Sequence, residues 1–187
     1  MEDRAFEKIY INLIAYPLFT LGPLKRVGIW FQGCSIGCKG CISKHTWIKE
    51  QKYKRELKEV VKEIKEFECK NITISGGEPF DQPEALFLLL KEIREEFEDI
   101  LVYSGYRYEE LSKKFPFIIE LIDVLIDGEF IKEKPSNKLY RGSTNQRMFV
   151  FNQKLISRYK EFFKIIKSKE SFQLYFYQDR LYSLGIP

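Results

Sequence analysis

The sequence has little of what marks a secreted or membrane-spanning protein. It holds four cysteines in 187 residues, and no apolar run is long enough to cross a bilayer. The most apolar early stretch, 10–24, is interrupted by Asn12, Pro17 and Pro23. Because the first ten residues mix acidic and basic side chains, we expect neither a secretory signal peptide nor a membrane as partner.

The chain also lacks a strong excess of either charge. Its 31 basic and 27 acidic residues are interleaved and leave a formal net charge of +4. A nucleic-acid-binding domain concentrates basic residues in a patch or stripe, so nucleic acid is not an expected partner. With 44% hydrophobic and 16% aromatic residues, the chain has enough apolar side chains for a packed core, and global disorder is excluded.

No repeat, low-complexity tract or change of composition marks a linker between domains. A chain of 187 residues is long enough for one domain and barely for two, since a domain commonly has about 100–150 residues. We therefore expect a single domain over residues 1–187, in which residues 151–187 add a C-terminal helix and strand.

Short segments rich in β-branched and aromatic residues alternate with charged segments of helical periodicity, which predicts an α/β fold. Strands are predicted at 10–15, 27–32, 71–75, 100–104, 124–127, 148–151 and 172–177. Helices are predicted at 54–70, from Pro83 onward, in a third stretch that breaks near Pro116, and at 154–167. Strands joined by such helices are expected to pair in parallel, with the functional site at their carboxyl ends.

Three of the four cysteines, Cys34, Cys38 and Cys41, lie within eight residues directly after the strand predicted at 27–32. Such crowding indicates metal ligation rather than a disulfide framework. Free thiols indicate a reducing compartment, so we place the protein in the cytoplasm. The remaining Cys69 ends a predicted helix and is interpreted as a small, semi-buried residue rather than a ligand.

Two kinds of metal site fit the CxxxCxxC loop. If His45, the single histidine, joins the cysteines, they supply the three sulfurs and one nitrogen of a structural zinc site, which would make the protein a binding module. If the thiolates bind alone, they hold an iron–sulfur cube with one iron open, because a fully protein-ligated cube needs four cysteines. An open iron indicates chemistry on a substrate. The spacing alone leaves both alternatives open.

A second motif, SGGEP at residues 75–79, follows the next predicted strand along the chain. Together with CxxxCxxC it resembles the radical S-adenosylmethionine (SAM) superfamily. Further segments that are similar to the activating enzymes of anaerobic ribonucleotide reductase lie at 41–47, 102–106, 123–130 and 141–146. The resemblance spans residues 22–150 and implies a partial (β/α) barrel of the radical SAM type with parallel strands.

The resemblance implies two cofactors and a reaction. A [4Fe-4S] cluster on Cys34, Cys38 and Cys41 would bind the amino and carboxylate groups of SAM at its open iron. An electron from a donor such as flavodoxin or ferredoxin would cleave SAM to methionine and a 5′-deoxyadenosyl radical. In that family the radical takes a hydrogen atom from a glycine of a glycyl radical enzyme, the anaerobic ribonucleotide reductase.

The resemblance also assigns residues to SAM. Gly40 and Ile42 would border the adenine, and the backbone at Gly76 and Gly77 would be open to the amino group. Further candidates are small or polar residues at the ends of predicted strands: Ser75, Glu78, Ser104, Gly105, Asp127, Arg141 and Ser143.

Other functions remain open at this point. The same core could act on a small molecule, such as a deazapurine precursor, or on a ribosomally made peptide, and the segment beyond residue 151 gives weight to that alternative. A zinc-stabilised binding module is the third hypothesis, although zinc requires nothing of the SGGEP segment. For a protein partner, aromatic and basic side chains predict the docking surface: Trp47, Tyr106, Tyr140 and Arg141.

Overall fold

A computed structural model describes residues 8–164 and 172–186. Residues 1–7, on which the expected absence of a signal peptide partly depends, and residues 165–167 at the end of the fourth predicted helix lie outside the described residues. Within the described ranges, no helix has both the length and the apolar character needed to cross a bilayer.

The described residues form nine strands in two sheets. The strands are β1 Lys8–Leu18, β2 Arg26–Phe31, β3 Lys54–Glu56, β4 Asn71–Gly76, β5 Asp99–Tyr103, β6 Val124–Asp127, β7 Arg147–Val150, β8 Phe172–Tyr177 and β9 Arg180–Gly185. The first seven form one sheet in the order β3-β1-β2-β4-β5-β6-β7, and β8 and β9 form a separate hairpin. Each predicted strand overlaps an observed one, whereas β3 and β9 are not among the predictions.

The four central strands, β2, β4, β5 and β6, pair in parallel as predicted. The prediction is wrong for the outer strands, because β1 pairs antiparallel with β2 and β3, and β7 with β6. The described segments 19–25 and 128–146 contain no helix, and a parallel neighbour needs a long crossover, usually a helix. Across the described residues the sheet is open, with β3 and β7 at its edges, so the partial barrel stays a prediction.

The helices are α1 Leu57–Glu66, α2 Pro83–Ile93, α3 Tyr108–Lys114, α4 Pro116–Ile119 and α5 Ile156–Lys164. The first four pack on one face of the sheet and form the main core with it. The apolar stripe predicted for α1 is buried there at Val60 and Ile64, and Pro116 separates α3 from α4 as predicted. The helix predicted at 54–70 is shorter than expected because its first three residues form β3.

The hairpin β8–β9 packs on the opposite face of the sheet. Successive side chains of a strand point to opposite faces, and Ile29 joins the helices whereas Trp30 packs with Leu184 of the hairpin. The strand predicted at 172–177 is not part of the main sheet, because within the described residues β8 pairs with β9 alone. The strands turn at Gln178 and Asp179, whose φ angles of 46° and 59° suit a tight two-residue hairpin turn.

A buried ion pair joins the strands at their amino ends. Arg26 begins β2 and Asp99 begins β5, both side chains are fully buried, and Nη1 lies 3.0 Å from Oδ2. Arg26 also donates to the hydroxyl of Thr73 in β4, and the hydroxyl of Tyr159 in α5 donates to Asp99. These buried polar side chains thus hydrogen-bond to one another at the amino ends of the strands, away from the carboxyl ends.

Candidate active site

The carboxyl ends of the parallel strands open into a cavity, called the central cavity below. Its walls come from the cysteine loop (residues 33–47), from SGGEP and from the segments after β5 and β6. The predicted site residues that line it are Cys34, Cys38, Cys41, Ile42, Ser75, Gly76, Gly77, Glu78, Ser104 and Gly105. The two motifs recognised in the sequence therefore meet at one site.

Main-chain hydrogen bonds close the cysteine loop at its base. The N–H of Gly33 donates to the carbonyl of Thr46 over 2.6 Å, and that of Cys34 donates to Trp47 over 3.0 Å. The buried amide of Gln32 donates to two further carbonyls at the far end of the loop. The three thiols are consequently carried on a loop that is fixed at both ends.

The thiols of the loop are only partly exposed and form no disulfide. Burial raises the pKa of Cys34 and of Cys38, because a thiolate loses solvation there. The N–H of Ser43 donates to Sγ of Cys41 over 3.3 Å. A bound metal would replace the thiol protons, as metal ligation by cysteine requires.

The four-ligand zinc site is not assembled. Among the described residues, no three His, Cys, Asp or Glu side chains converge closely enough to hold one ion. The ring of His45 instead lies beside that of Tyr182, with 6.4 Å between centroids. In an iron–sulfur cube the cysteines bind different irons, so their sulfurs need not meet around a single ion.

Gly76 and Gly77 have no room for side chains. A Cβ on Gly76 would overlap the backbone at Phe31, and one on Gly77 would overlap the carbonyl oxygen of Gly33. Two hydrogen bonds of 2.8 Å hold this contact, from Gly77 N–H to Phe31 and from Glu78 N–H to Gly33. The glycine pair thus sets SGGEP directly against the start of the cysteine loop, a packing reason that the sequence did not reveal.

Glu78 ties the end of β4 to the end of β5. Its buried carboxylate accepts hydrogen bonds from Gly105 N–H at 2.8 Å, from Ser104 Oγ at 2.9 Å and from Phe80 N–H at 3.0 Å. Burial raises its pKa to about 7, although these three donors oppose the shift. Glu78 therefore holds two walls of the central cavity together and keeps little free acceptor capacity.

Asp81 is a functional candidate that sequence reasoning missed. Its carboxylate accepts from Ser35 N–H at 2.6 Å, from Ser35 Oγ at 2.9 Å and from the hydroxyl of Tyr106 at 2.8 Å. The cysteine loop is thereby fastened to the segment that follows SGGEP. The only signal in the sequence is an acidic residue two positions after the motif. Tyr106, predicted to dock a partner, makes an internal contact here.

Four predicted SAM contacts do not line the central cavity, namely Gly40, Asp127, Arg141 and Ser143. Asp127 is buried and accepts hydrogen bonds from the Arg147 guanidinium and from Tyr108 N–H. Ser143 is also buried, and its Oγ accepts from Ile131 N–H over 3.2 Å. Both residues hold the loops around the site in place.

Tyr140 and Arg141 are buried, so their predicted place on a docking surface is wrong. Burial lowers the pKa of Arg141. Gly40 turns the cysteine loop at a φ of 83°. Gly142 and Gln146, which follow Arg141 in the sequence, line the central cavity instead.

Comparison with known proteins identifies the family. Residues 20–149 match the family described as 4Fe-4S single cluster domain. The anaerobic ribonucleoside-triphosphate reductase-activating protein of Enterobacteria phage T4 is 30% identical over 142 residues, which cover 72% of this chain and 90% of that protein. The protein of the same name from Haemophilus influenzae is 34% identical over 147 residues, which cover 70% of this chain and 92% of that protein. The chain belongs to this family of activating proteins.

The activating protein of Escherichia coli K12 is similar to the same extent, with 31% identity over 142 residues, covering 70% of this chain and 92% of that protein. Among solved structures, QueE from Escherichia coli is similar over 52% of this chain and 53% of that chain, with a TM-score of 0.47 and 20% identity. Membership of the activating-protein family confirms the resemblance seen in the sequence. The chain is a radical SAM enzyme whose cofactors are a [4Fe-4S] cluster and SAM.

The residues of the central cavity fit both cofactors of an activating protein. Three thiols are the donor set of a cluster that keeps one iron open for a ligand. SGGEP lies directly beside them, and its residues Ser75 to Glu78 line the same cavity. Trp30, Tyr103 and Phe130 add aromatic surface to the same cavity, which suits a nucleoside.

Proposed function

We propose that this activating protein installs a glycyl radical on an anaerobic ribonucleotide reductase. The observation that carries the proposal is the match to activating proteins over 90–92% of their length. The meeting of the cysteine loop and SGGEP in one cavity supports it. The same proposal includes two further parts: the residues that contact SAM, and the identity of the electron donor.

The chain's own part in this reaction is positioning. Cys34, Cys38 and Cys41 would hold the cluster, which would supply the electron for reductive cleavage of SAM and so the means to remove a hydrogen atom from the substrate glycine. Asp81 fastens the cysteine loop to the segment after SGGEP, and Glu78 fastens SGGEP to the end of β5. The thiols and the main chain at Gly76 and Gly77 are thereby held toward the same space. Leu21, Trp30 and Phe130 keep part of that space apolar and exclude water.

Contacts with SAM follow from the lining of the central cavity. The backbone of Ser75, Gly76 and Gly77 would receive the amino group, Ser104 and Gly105 would face the ribose, and Ile42 would border the adenine. We assign an indirect role to the four predicted residues away from the cavity wall, which shape the loops that line it: Gly40, Asp127, Arg141 and Ser143.

The electron comes, in this proposal, from a small carrier protein such as flavodoxin or ferredoxin. Three exposed lysines lie on and beside the cysteine loop, namely Lys39, Lys44 and Lys49. A positive rim of this kind speeds association with a negatively charged carrier. The four free cysteines favour a reducing compartment, and we place the protein in the cytoplasm.

The test uses anaerobically reconstituted protein mixed with SAM, a reductant and the anaerobic reductase of the same organism. We expect about four irons per chain, release of methionine and 5′-deoxyadenosine, and a glycyl doublet in the electron paramagnetic resonance spectrum of the reductase. Cys38→Ala should lose both cluster and doublet. Cys69→Ala is the matched control and should keep both, because Cys69 bonds carbonyl groups outside the central cavity.

Two results would contradict the proposal. The first is a protein that binds stoichiometric zinc and no iron and that loses the zinc in His45→Ala. This result would support the zinc hypothesis. Turnover of SAM on a small molecule or a free peptide, with no doublet on a competent reductase, would keep the chemistry and replace the substrate.

A further inference from the structure

The C-terminal hairpin presents an apolar face to solvent. Side chains of β8 alternate, so that Tyr175 and Tyr177 pack toward the sheet while their neighbours point outward. The outward set is large and mostly exposed: Phe172 58%, Leu174 60%, Phe176 70% and Leu181 65%. A cluster of exposed apolar side chains on one face is typical of an interaction site.

Beneath one edge of this face lies a second cavity, called the hairpin cavity below. It has a volume of about 570 Å³ and is bounded by the hairpin, β1 and the end of the cysteine loop. Phe172 and Leu181 line it, together with the polar groups of Asn12, His45 and Arg180. A cavity of this size and mixed character fits a bound ligand, since binding sites commonly measure about 300–1,000 Å³.

The hairpin cavity adjoins the central cavity. Both are lined by Trp30, Ile42, Ser43, Gly185 and Ile186. A group bound in the hairpin cavity therefore lies next to residues that line the central cavity, on the face of the sheet opposite the helices. The last described residues of the chain form the wall between the two cavities.

An open strand edge runs into the hairpin cavity. β3 pairs only with Lys8–Tyr10 of β1, whereas β1 continues to Leu18. From Asn12 onward, β1 has no strand partner on that side within the described residues. Asn12 and Leu13 line the hairpin cavity. An open edge beside apolar pockets is the arrangement that binds an extended polypeptide by strand addition.

We propose that the hairpin cavity binds the polypeptide segment of the reductase that carries the substrate glycine and leads it into the central cavity. The inference deepens the proposed function and rests on it. A polypeptide is the occupant because the open edge of β1 offers main-chain hydrogen bonds and the rim offers Phe172 and Leu181 as anchors. The earlier candidates Tyr140 and Arg141 are buried and leave no competing surface at their position.

The experiment compares Leu181→Glu with Leu174→Glu. Both leucines lie on the outer face of the hairpin with similar exposure, but Leu181 lines the hairpin cavity and Leu174 does not. Formation of the glycyl radical is measured against reductase concentration. We expect Leu181→Glu to raise the half-saturating concentration about tenfold, as for the loss of one interface anchor, and Leu174→Glu to change it less than about twofold. Phe172→Ser, a second change in the cavity rim, should act like Leu181→Glu.

Iron content and the midpoint of unfolding serve as folding controls for each variant. If wild type forms the radical and all three variants have the same half-saturating concentration of reductase, the proposed role of the hairpin cavity is overturned and the proposed function stands. Equal losses for Leu174→Glu and Leu181→Glu overturn it as well, because the whole face would then dock. If the free protein is a dimer and Leu181→Glu dissociates it, the face binds a second copy of the chain, which also overturns the proposed role of the hairpin cavity. If wild type forms no radical on a competent reductase, the proposed function itself fails.

Discussion

Gly77 shows how one residue joins the two motifs, because the carbonyl of Gly33 lies where its side chain would be. We expect Gly77→Ala to destabilise the protein by about 1–3 kcal/mol, the usual cost of overpacking. It should also lower both iron content and release of 5′-deoxyadenosine, since Gly33 directly precedes Cys34.

Gly37→Asn is the matched control for Gly77→Ala. Gly37 has a φ of 63° and nothing within 4 Å of its Cβ position, and asparagine tolerates that backbone conformation. The variant should keep its iron. A Gly77→Ala protein with full iron and full SAM cleavage would contradict the role given to this contact.

Glu78 makes stability depend on pH. Its pKa is about 7 in the folded chain against an ordinary value of 4.5, because burial disfavours the charge. Its contribution to the free energy of unfolding is therefore fully present below about pH 4.5 and is lost as the pH rises through about 7. Denaturant titrations of cluster-free protein at several pH values should show this decline in wild type and a smaller one in Glu78→Gln. Identical pH profiles would contradict it.

At the scale of elements, Arg26 connects β2 with β4, β5 and α5 through Thr73 and Asp99. Arg26→Met leaves the carboxylate of Asp99 buried with fewer partners, so we expect a loss of about 3–5 kcal/mol in the free energy of unfolding. The same substitution at Arg55, whose pair with Glu63 is roughly one-third exposed, should cost less than about 1 kcal/mol. Comparable losses in the two variants, measured by urea unfolding, would contradict the structural role of the buried pair.

At the scale of the whole molecule, the central cavity is not confined to the segment shared with the family. The family match ends at residue 149, yet Gly185 and Ile186 line the cavity. The hairpin packs on β1 and β2 through Leu184, so its position depends on the same sheet that carries the cysteine loop. A single domain over the full chain stays a prediction that this packing favours.

The sequence by itself determined the elements and the chemistry of the site. Periodicity of apolar residues predicted α1 and the parallel core, because a helix or strand buries residues at its own repeat. The spacing of Cys34, Cys38 and Cys41 predicted a metal site, and together with the SGGEP motif it carried the family resemblance that implied a [4Fe-4S] cluster and SAM. Both signals are local and can be read without knowing the fold.

Only the tertiary structure decided which residues face the site. Asp81 meets Ser35 across 46 positions of the chain, and no local pattern encodes such a contact. Asp127 and Arg141 look like ligand-binding residues in the sequence, but packing turned them to Arg147 and to the interior. The sequence predicted a strand at 172–177 but not its pairing with β9 apart from the main sheet, because long-range contacts choose a strand's partner. The physical reason is the same throughout: propensity acts over a few residues, whereas burial depends on what the rest of the chain brings alongside.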